Sequence, residues 1–203
     1  MRNKGSKKYI RWVRLVHSYS AMAVLLSMLF FTITGLTLNH QDWLPNNDTE
    51  TIQTISIPVE FFNSDASLLT PIIEAEKLRA WLERDVQFSG NQVSYEWEPD
   101  DQILTIDVKR PGGYSIAEID LLEKTILVEK HDFGVLSTLN DLHMGRYSGV
   151  FWSVFIDISA LAMILFSLTG LWLVLPQRKR RNKLLGASVC GATLMLVFFS
   201  FTF

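Results

Sequence analysis

Three long apolar runs, about Val13–Leu38, Gly149–Leu175 and Leu184–Phe203, break this chain into hydrophobic and polar territory. Each reaches the roughly 20 residues that a helix rising ~1.5 Å per residue needs to cross a bilayer. Between the first two runs the period changes. Ile52, Ile55, Ile57 and Val59 make Thr51–Val59 a strand after an Asn46–Glu50 linker. Thr70-Pro71 marks a helix start with Pro at the first helical position, and Ile73, Leu78, Trp81 and Leu82 carry an amphipathic helix to about Asp85. Val93–Glu98, Ile103–Lys109, Tyr114–Asp120 and Thr125–Glu129 then read as strands, separated by turns at Pro99–Asp101, Pro111-Gly112-Gly113 and Glu123-Lys124. The expected fold is membrane α-helical, with three transmembrane helices and a small α+β domain of about 75 residues whose core is modest for its size.

Charge fixes the expected topology. All 21 acidic residues except Asp157 fall between Asp42 and Asp141, while the first 41 residues carry six Lys/Arg and no acid. Arg178, Lys179, Arg180, Arg181 and Lys183 fill the short loop before the third run. The positive-inside rule puts both basic clusters in the cytoplasm. The expected layout is a cytoplasmic N-terminus over residues 1–12, helices over 13–38, 149–175 and 184–203, a periplasmic domain over 39–148 and a cytoplasmic loop over 176–183. A cleaved signal peptide is disfavoured, because the first run is too long for an h-region and no small-x-small site follows it. The single cysteine, Cys190, lies in the third run, so the outer domain is expected to fold without disulfides.

Three of the four histidines sit where apolar runs meet water: His17 just inside the first run, His40 just beyond it and His143 just before the second. An imidazole inside lipid is costly without a partner and ligates metals or haem iron readily, so a membrane redox or metal site is expected. Thr32-Ile33-Thr34-Gly35-Leu36 at the end of the first run is echoed by Ser167-Leu168-Thr169-Gly170-Leu171 at the end of the second. His17 and Gly35 are 18 residues apart, five turns of helix, and share a face. Small residues there allow either close helix packing or a flat cofactor, and both readings stand at this point.

These residues carry a resemblance. Arg14-Leu15-Val16-His17 opening a helix that ends in Thr34-Gly35-Leu36, a small outer domain, and Asn140-Asp141-Leu142-His143-Met144-Gly145-Arg146 opening a helix that ends in Thr169-Gly170-Leu171 together resemble the PepSY-associated transmembrane helix family. With Leu38-Asn39-His40 after the first span, the chain is similar to the short VciB-like inner-membrane proteins that promote ferrous iron uptake. The resemblance implies a PepSY-like periplasmic domain and haem-dependent reduction of ferric iron for a ferrous iron transporter.

On that reading His40 and His143 grip one b-type haem from opposite faces, since one follows an outgoing helix and the other precedes an incoming one. Two axial imidazoles leave no open position and suit electron transfer. Asn39 or Asp141 would receive the far ring N–H. His17 lies some 34 Å of helix away at ~1.5 Å per residue and would need a second haem, with a ligand from Met163 or from a second copy of the chain. Asp157, 14 residues after His143 and four turns along one helix, is expected on the same face, as a haem anchor, a proton carrier or a packing residue. Arg14 and Arg146 could pair with haem propionates or anchor headgroups. Asp42 and Asp141 would offer oxygen ligands to ferric iron, a hard cation. His131 beside Asp132 reads as a surface residue with some capacity for metal.

The chain has no Gly-x-Gly-x-x-Gly, Walker A, Cys-x-x-Cys-His or His-Glu-x-x-His motif. Electrons are therefore expected from quinol or a protein donor, and the short basic clusters give no reason to expect nucleic acid. A homodimer with one or two haems per subunit, or shared between subunits, is the expected assembly. The competing expectations are a non-enzymatic protein-interaction module and a metal-binding accessory of a transporter that uses His40 and His143 without haem.

Overall fold

The computed structural model describes residues 4–43, 48–58, 61 and 71–202. Helix α1 runs over Lys4–Asn39, a short 3-10 turn over Gln41–Trp43, β1 over Thr49–Ser56 and α2 over Pro71–Val86. Four strands follow, β2 (Gln92–Glu98), β3 (Ile103–Arg110), β4 (Gly113–Asp120) and β5 (Thr125–Asp132). Helices α3 (Gly134–Met144), α4 (Val150–Val174) and α5 (Arg181–Ser200) complete the chain. Lys8–Asn39, Val150–Val174 and Arg181–Ser200 are long and apolar enough to cross a membrane. The chain divides into two compact units, one of Met1–Met28 with Asp157–Phe203, the other of Leu29–Ile156.

In the second unit the strands form one antiparallel sheet in the order β1-β5-β4-β3-β2. The expected meander is β2 to β5. β1 closes it by pairing along β5, with Glu50 opposite His131 and Ile55 opposite Ile126. Each strand alternates, as period-2 side chains require. Leu104, Ile106 and Val108 on β3, Ala117 and Ile119 on β4, and Ile126 and Val128 on β5 are buried beneath Ala75, Leu78 and Leu82 of α2 and Phe88. This is the small core the pattern predicted. The other sheet face carries Glu50, Glu129, His131, Tyr114, Asp107 and Lys109. Of the expected elements, Val59 and Thr70 lie outside the described residues.

Helix α2 ends where Gln87 adopts φ +56° and Phe88 N–H bonds back to the Leu82 carbonyl at 3.2 Å. Lys130 on β5 donates to the Val86 carbonyl, satisfying a C-terminal group of the helix. A non-glycine residue in the left-handed region is strained by about 1–2 kcal/mol. We expect Gln87→Gly to raise stability by up to about 1 kcal/mol, since only strain is removed, and Phe88→Ala to lower it by about 3–5 kcal/mol by emptying the core. Denaturation of the purified chain, followed through the β-sheet circular dichroism signal, reads both.

The sequence pattern predicted one helix from Asn140 to Leu171; the structure breaks it. Helix α3 ends at Met144, Gly145 caps it at φ +69°, and Gly145 N–H and Arg146 N–H bond to the carbonyls of Leu142 and Asp141. This is a Schellman motif, whose left-handed position glycine occupies without penalty. Tyr147 follows at φ +55°, and α4 starts afresh at Val150. The phase argument that aligned His143 with Asp157 needed one continuous helix, so that expectation is corrected.

The second and third spans differ in what they bury. Only Ser159 of α4 and no residue of α5 is buried, and the lone Cys190 is exposed.

Candidate functional site

The block Asn140-Asp141-Leu142-His143-Met144-Gly145-Arg146 works as a clamp. Asp141 Oδ2 accepts the Gly112 N–H at the β3–β4 turn (2.8 Å), and Gly112 in turn accepts the Phe133 N–H (2.8 Å). The Leu142 carbonyl accepts the Trp152 indole N–H at 2.8 Å. On another face of α3, buried Asn140 accepts the Thr37 hydroxyl of α1 through Oδ1 at 2.7 Å. His143, one turn on, reaches the same helix. Its Nδ1 is 2.6 Å from Thr34 Oγ1, and its ring packs edge-on to Phe31 at 5.2 Å. A Cβ at Gly35 would stand 3.4 Å from the ring, an ordinary contact.

The first unit repeats this chemistry. His17 Nδ1 is 3.0 Å from Thr169 Oγ1 and 3.1 Å from the Phe166 carbonyl, and the ring stacks on Phe166 at 4.7 Å and 11°. A Cβ at Gly170 would meet the ring at 3.2 Å, which forces a shift of a few tenths of an ångström. Phe31-Thr32-Ile33-Thr34-Gly35 and Phe166-Ser167-Leu168-Thr169-Gly170 thus share one device: Phe against an imidazole, Thr one turn later bonded to it, and Gly beside the ring, where only Gly170 is tight enough to need its missing Cβ.

The hydrogen-bond inventory assigns the tautomer. A hydroxyl has one proton. Thr34 Oγ1 lies 2.6 Å from the Phe30 carbonyl, and Thr169 Oγ1 lies 2.7 Å from the Leu165 carbonyl. Carbonyls only accept, so the threonine protons go there and each Nδ1 must be the donor. The Phe166 carbonyl beside His17 Nδ1 requires the same. Nε2 of each ring makes no hydrogen bond among the described residues. His17 also lines a cavity of about 330 Å³ with Phe166, Gly170, Leu171, Leu184 and Ser188. An Nδ1–H held by a fixed acceptor, with Nε2 left bare, is the arrangement metal-ligating histidines adopt.

The other expected site residues fall elsewhere. His40 is half-buried after α1, with its Nε2 3.4 Å from Asn39 Nδ2, so Asn39 serves His40 rather than His143. Asp42, Arg14, Arg146 and Asp157 are exposed, and Met163 is half-buried. Asp141 also lines a cavity of about 370 Å³ with Asp107, Lys109, Tyr114, Phe133 and Tyr147. The residues sequence reasoning missed are Thr34 and Thr169 as imidazole acceptors and Thr37 as the partner of Asn140. Two Thr-Gly helix ends and two intramembrane histidines in one chain were the available signal.

The family follows from the chain as a whole. A model described as PepSY_TM-like matches residues 8–202. The chain belongs to the PepSY_TM-like family. The match spans all three apolar helices and the sheet domain, so the two His–Thr–Gly sites both lie inside the PepSY_TM-like region. No curated protein and no solved structure matches the chain.

His131, on the open sheet face, has carboxylates at both ring nitrogens. Nε2 is 2.6 Å from Glu129 Oε1 and 3.6 Å from Glu50 Oε1, and Nδ1 is 3.6 Å from Asp48 Oδ1. Tyr114 stacks on the ring at 4.6 Å and 20°. Burial pulls the His131 pKa down, but the Glu129 hydrogen bond and the charges of Glu50, Glu129 and Asp48 together outweigh it and hold the value above 6.5. A raised folded-state pKa stabilises the fold fully below the unfolded value near 6.5, and that stabilisation is lost as pH rises through the folded value. The ring protons of His131 should titrate above the unfolded value by NMR. Glu129→Gln should move that midpoint down and reduce stability below pH 6.5 more than above the folded midpoint.

Proposed function

We propose that this protein is a b-type haem protein of the bacterial inner membrane, which carries electrons outward and reduces ferric iron for a ferrous iron transporter. One observation supports the reading: in both His–Thr–Gly sites Nδ1 is bonded to a threonine whose hydroxyl already donates to the backbone, and Nε2 makes no hydrogen bond among the described residues. Those residues fit a haem axial ligand. His17 and His143 would each offer Nε2, with His40 as a partner ligand on the outer side and Met163 as a soft alternative near His17. Bound haem supplies one-electron chemistry, with iron cycling between ferric and ferrous.

The chain's own residues do the rest. Thr34 and Thr169 orient the rings, and Gly170 sets how deeply the His17 ring seats. The apolar lining around His17 keeps water from the ligand nitrogen. Arg14 and Arg146 offer planar guanidinium groups to propionates. Ferric iron or its chelate, as substrate, would meet Asp42 and Asp141 on the sheet-domain side, whose periplasmic location the Lys/Arg distribution supports. Quinol or a protein donor supplies electrons, because the chain has no dinucleotide motif. Asp157 supports a homodimer. An exposed carboxylate two turns into an apolar span costs about 2.5–3.5 kcal/mol toward the helix centre unless a partner covers it, and a second copy provides that cover.

A second reading is favoured by one feature. Both rings already seat against a glycine as packing elements, which alone would serve a non-enzymatic membrane-anchored interaction module. Absorption spectra of the detergent-purified chain, oxidised and dithionite-reduced, separate the two. Under the haem reading a Soret band is present, His17→Ala and His143→Ala each remove part of it, and Thr34→Val or Thr169→Val weakens haem binding by about 10–100-fold. A colourless wild-type protein, or spectra indifferent to both histidine variants, leaves the packing module.

A further inference from the structure

The open face of the sheet carries a constellation that the haem reading does not use and does not depend on. β1 and β5 pair so that Glu50 stands opposite His131, and Glu129 lies two residues before His131 on the same face. One ligand atom from each of Glu50, Glu129 and His131 lies within 4.8 Å of the others. Ligands around a small divalent ion at ~2.0–2.2 Å stand roughly 3–4 Å apart, so small side-chain rotations close the set. The backbone supplies no obstacle, since two adjacent, fully paired strands fix all three positions.

Three features make this more than a patch of acid. The nitrogen donor is an imidazole whose side chain is only 14% exposed. Its plane is held by the Tyr114 stack. Asp48 stands on the far nitrogen, Nδ1, at 3.6 Å, where an outer carboxylate would orient a metal-bound histidine through its N–H. The three carboxylates also leave the site with an excess of negative charge for a dication to balance. They push the Tyr114 phenol up as well, after burial, with Asp107 adding to the effect.

We propose that Glu50, Glu129 and His131 form a binding site for a divalent first-row transition metal, with Asp48 as the outer carboxylate that orients His131. One nitrogen and two carboxylate oxygens, completed by water, suit Zn²⁺, Mn²⁺ or Fe²⁺ rather than Ca²⁺. Binding displaces the Nε2 proton, so affinity rises with pH, while Nδ1 keeps its proton facing Asp48, 3.6 Å away.

The test is calorimetric titration of the full-length, detergent-solubilised chain with Zn²⁺ alone, with metal content measured after gel filtration. The expected result is one Zn²⁺ per chain at this site. Glu129→Gln and His131→Ala should each weaken it at least about tenfold, Asp48→Asn should weaken it by about 10–100-fold, and His40→Ala should leave it unchanged. The isosteric Glu129→Gln decides the matter if His131→Ala fails to fold, as judged by circular dichroism. No stoichiometric uptake by the wild type, or equal uptake by Glu129→Gln, overturns the site. Zinc lost with His40→Ala but kept by Glu129→Gln overturns it too, by moving the ion to the membrane boundary.

Discussion

A threonine hydroxyl on a membrane helix has one proton, and the backbone claims it. From that limit follows which way both Nδ1 hydrogen bonds run. Thr34 donates to the Phe30 carbonyl and Thr169 to that of Leu165, so what remains for the histidine is an acceptor. His143 and His17 must therefore present Nδ1–H, and Nε2 is left as the reactive nitrogen of each ring. Against an apolar span, where an unpaired polar group is expensive, this orders each ring with one interaction. Gly170 then admits the His17 ring without pushing the helices apart.

The sheet domain reaches the His143 site through α3. Asp132 at the end of β5 accepts the Gly134 N–H and pairs with Arg110 at 2.7 Å, which starts the helix. Asp141 fastens its middle to the β3–β4 turn, and Gly145 stops it. Asn140 and His143, one turn apart, are then presented together to Thr37 and Thr34. A helix of 11 residues is marginal alone in water. Here its faces are committed to different neighbours, which is what gives the short segment a fixed orientation.

Much of this was legible in the residues. The spans, the amphipathic α2 and the meander all follow from hydrophobic period and turn chemistry, because those elements are decided by which face must be buried. What was not legible depends on partners far apart in sequence. β1 could have been read as a free linker strand; its pairing with β5 is a long-range choice that no local pattern encodes. The helix break at Gly145 was missed because apolar content continues on both sides, and one glycine in a helical run is weak punctuation. The same break removes the alignment of His143 with Asp157. The histidine–threonine pairing was half visible, since the Thr-Gly repeat stood out while its acceptor role depends on which helix lies opposite. His131 was set aside as a surface residue because Glu50 joins it only once β1 is in register.

The sheet has two outer strands, β1 and β2, each with a row of backbone groups that another chain could extend. Unlike a soluble domain, one tethered to a bilayer meets its copies at high local density and in similar orientations, conditions that favour ribbon growth through open edges. The β2 margin is acidic, with Glu96 and Glu98. Two such margins repel when brought side by side, and this discourages runaway polymerisation. Edge-to-edge pairing of this sheet through β2 is thereby disfavoured.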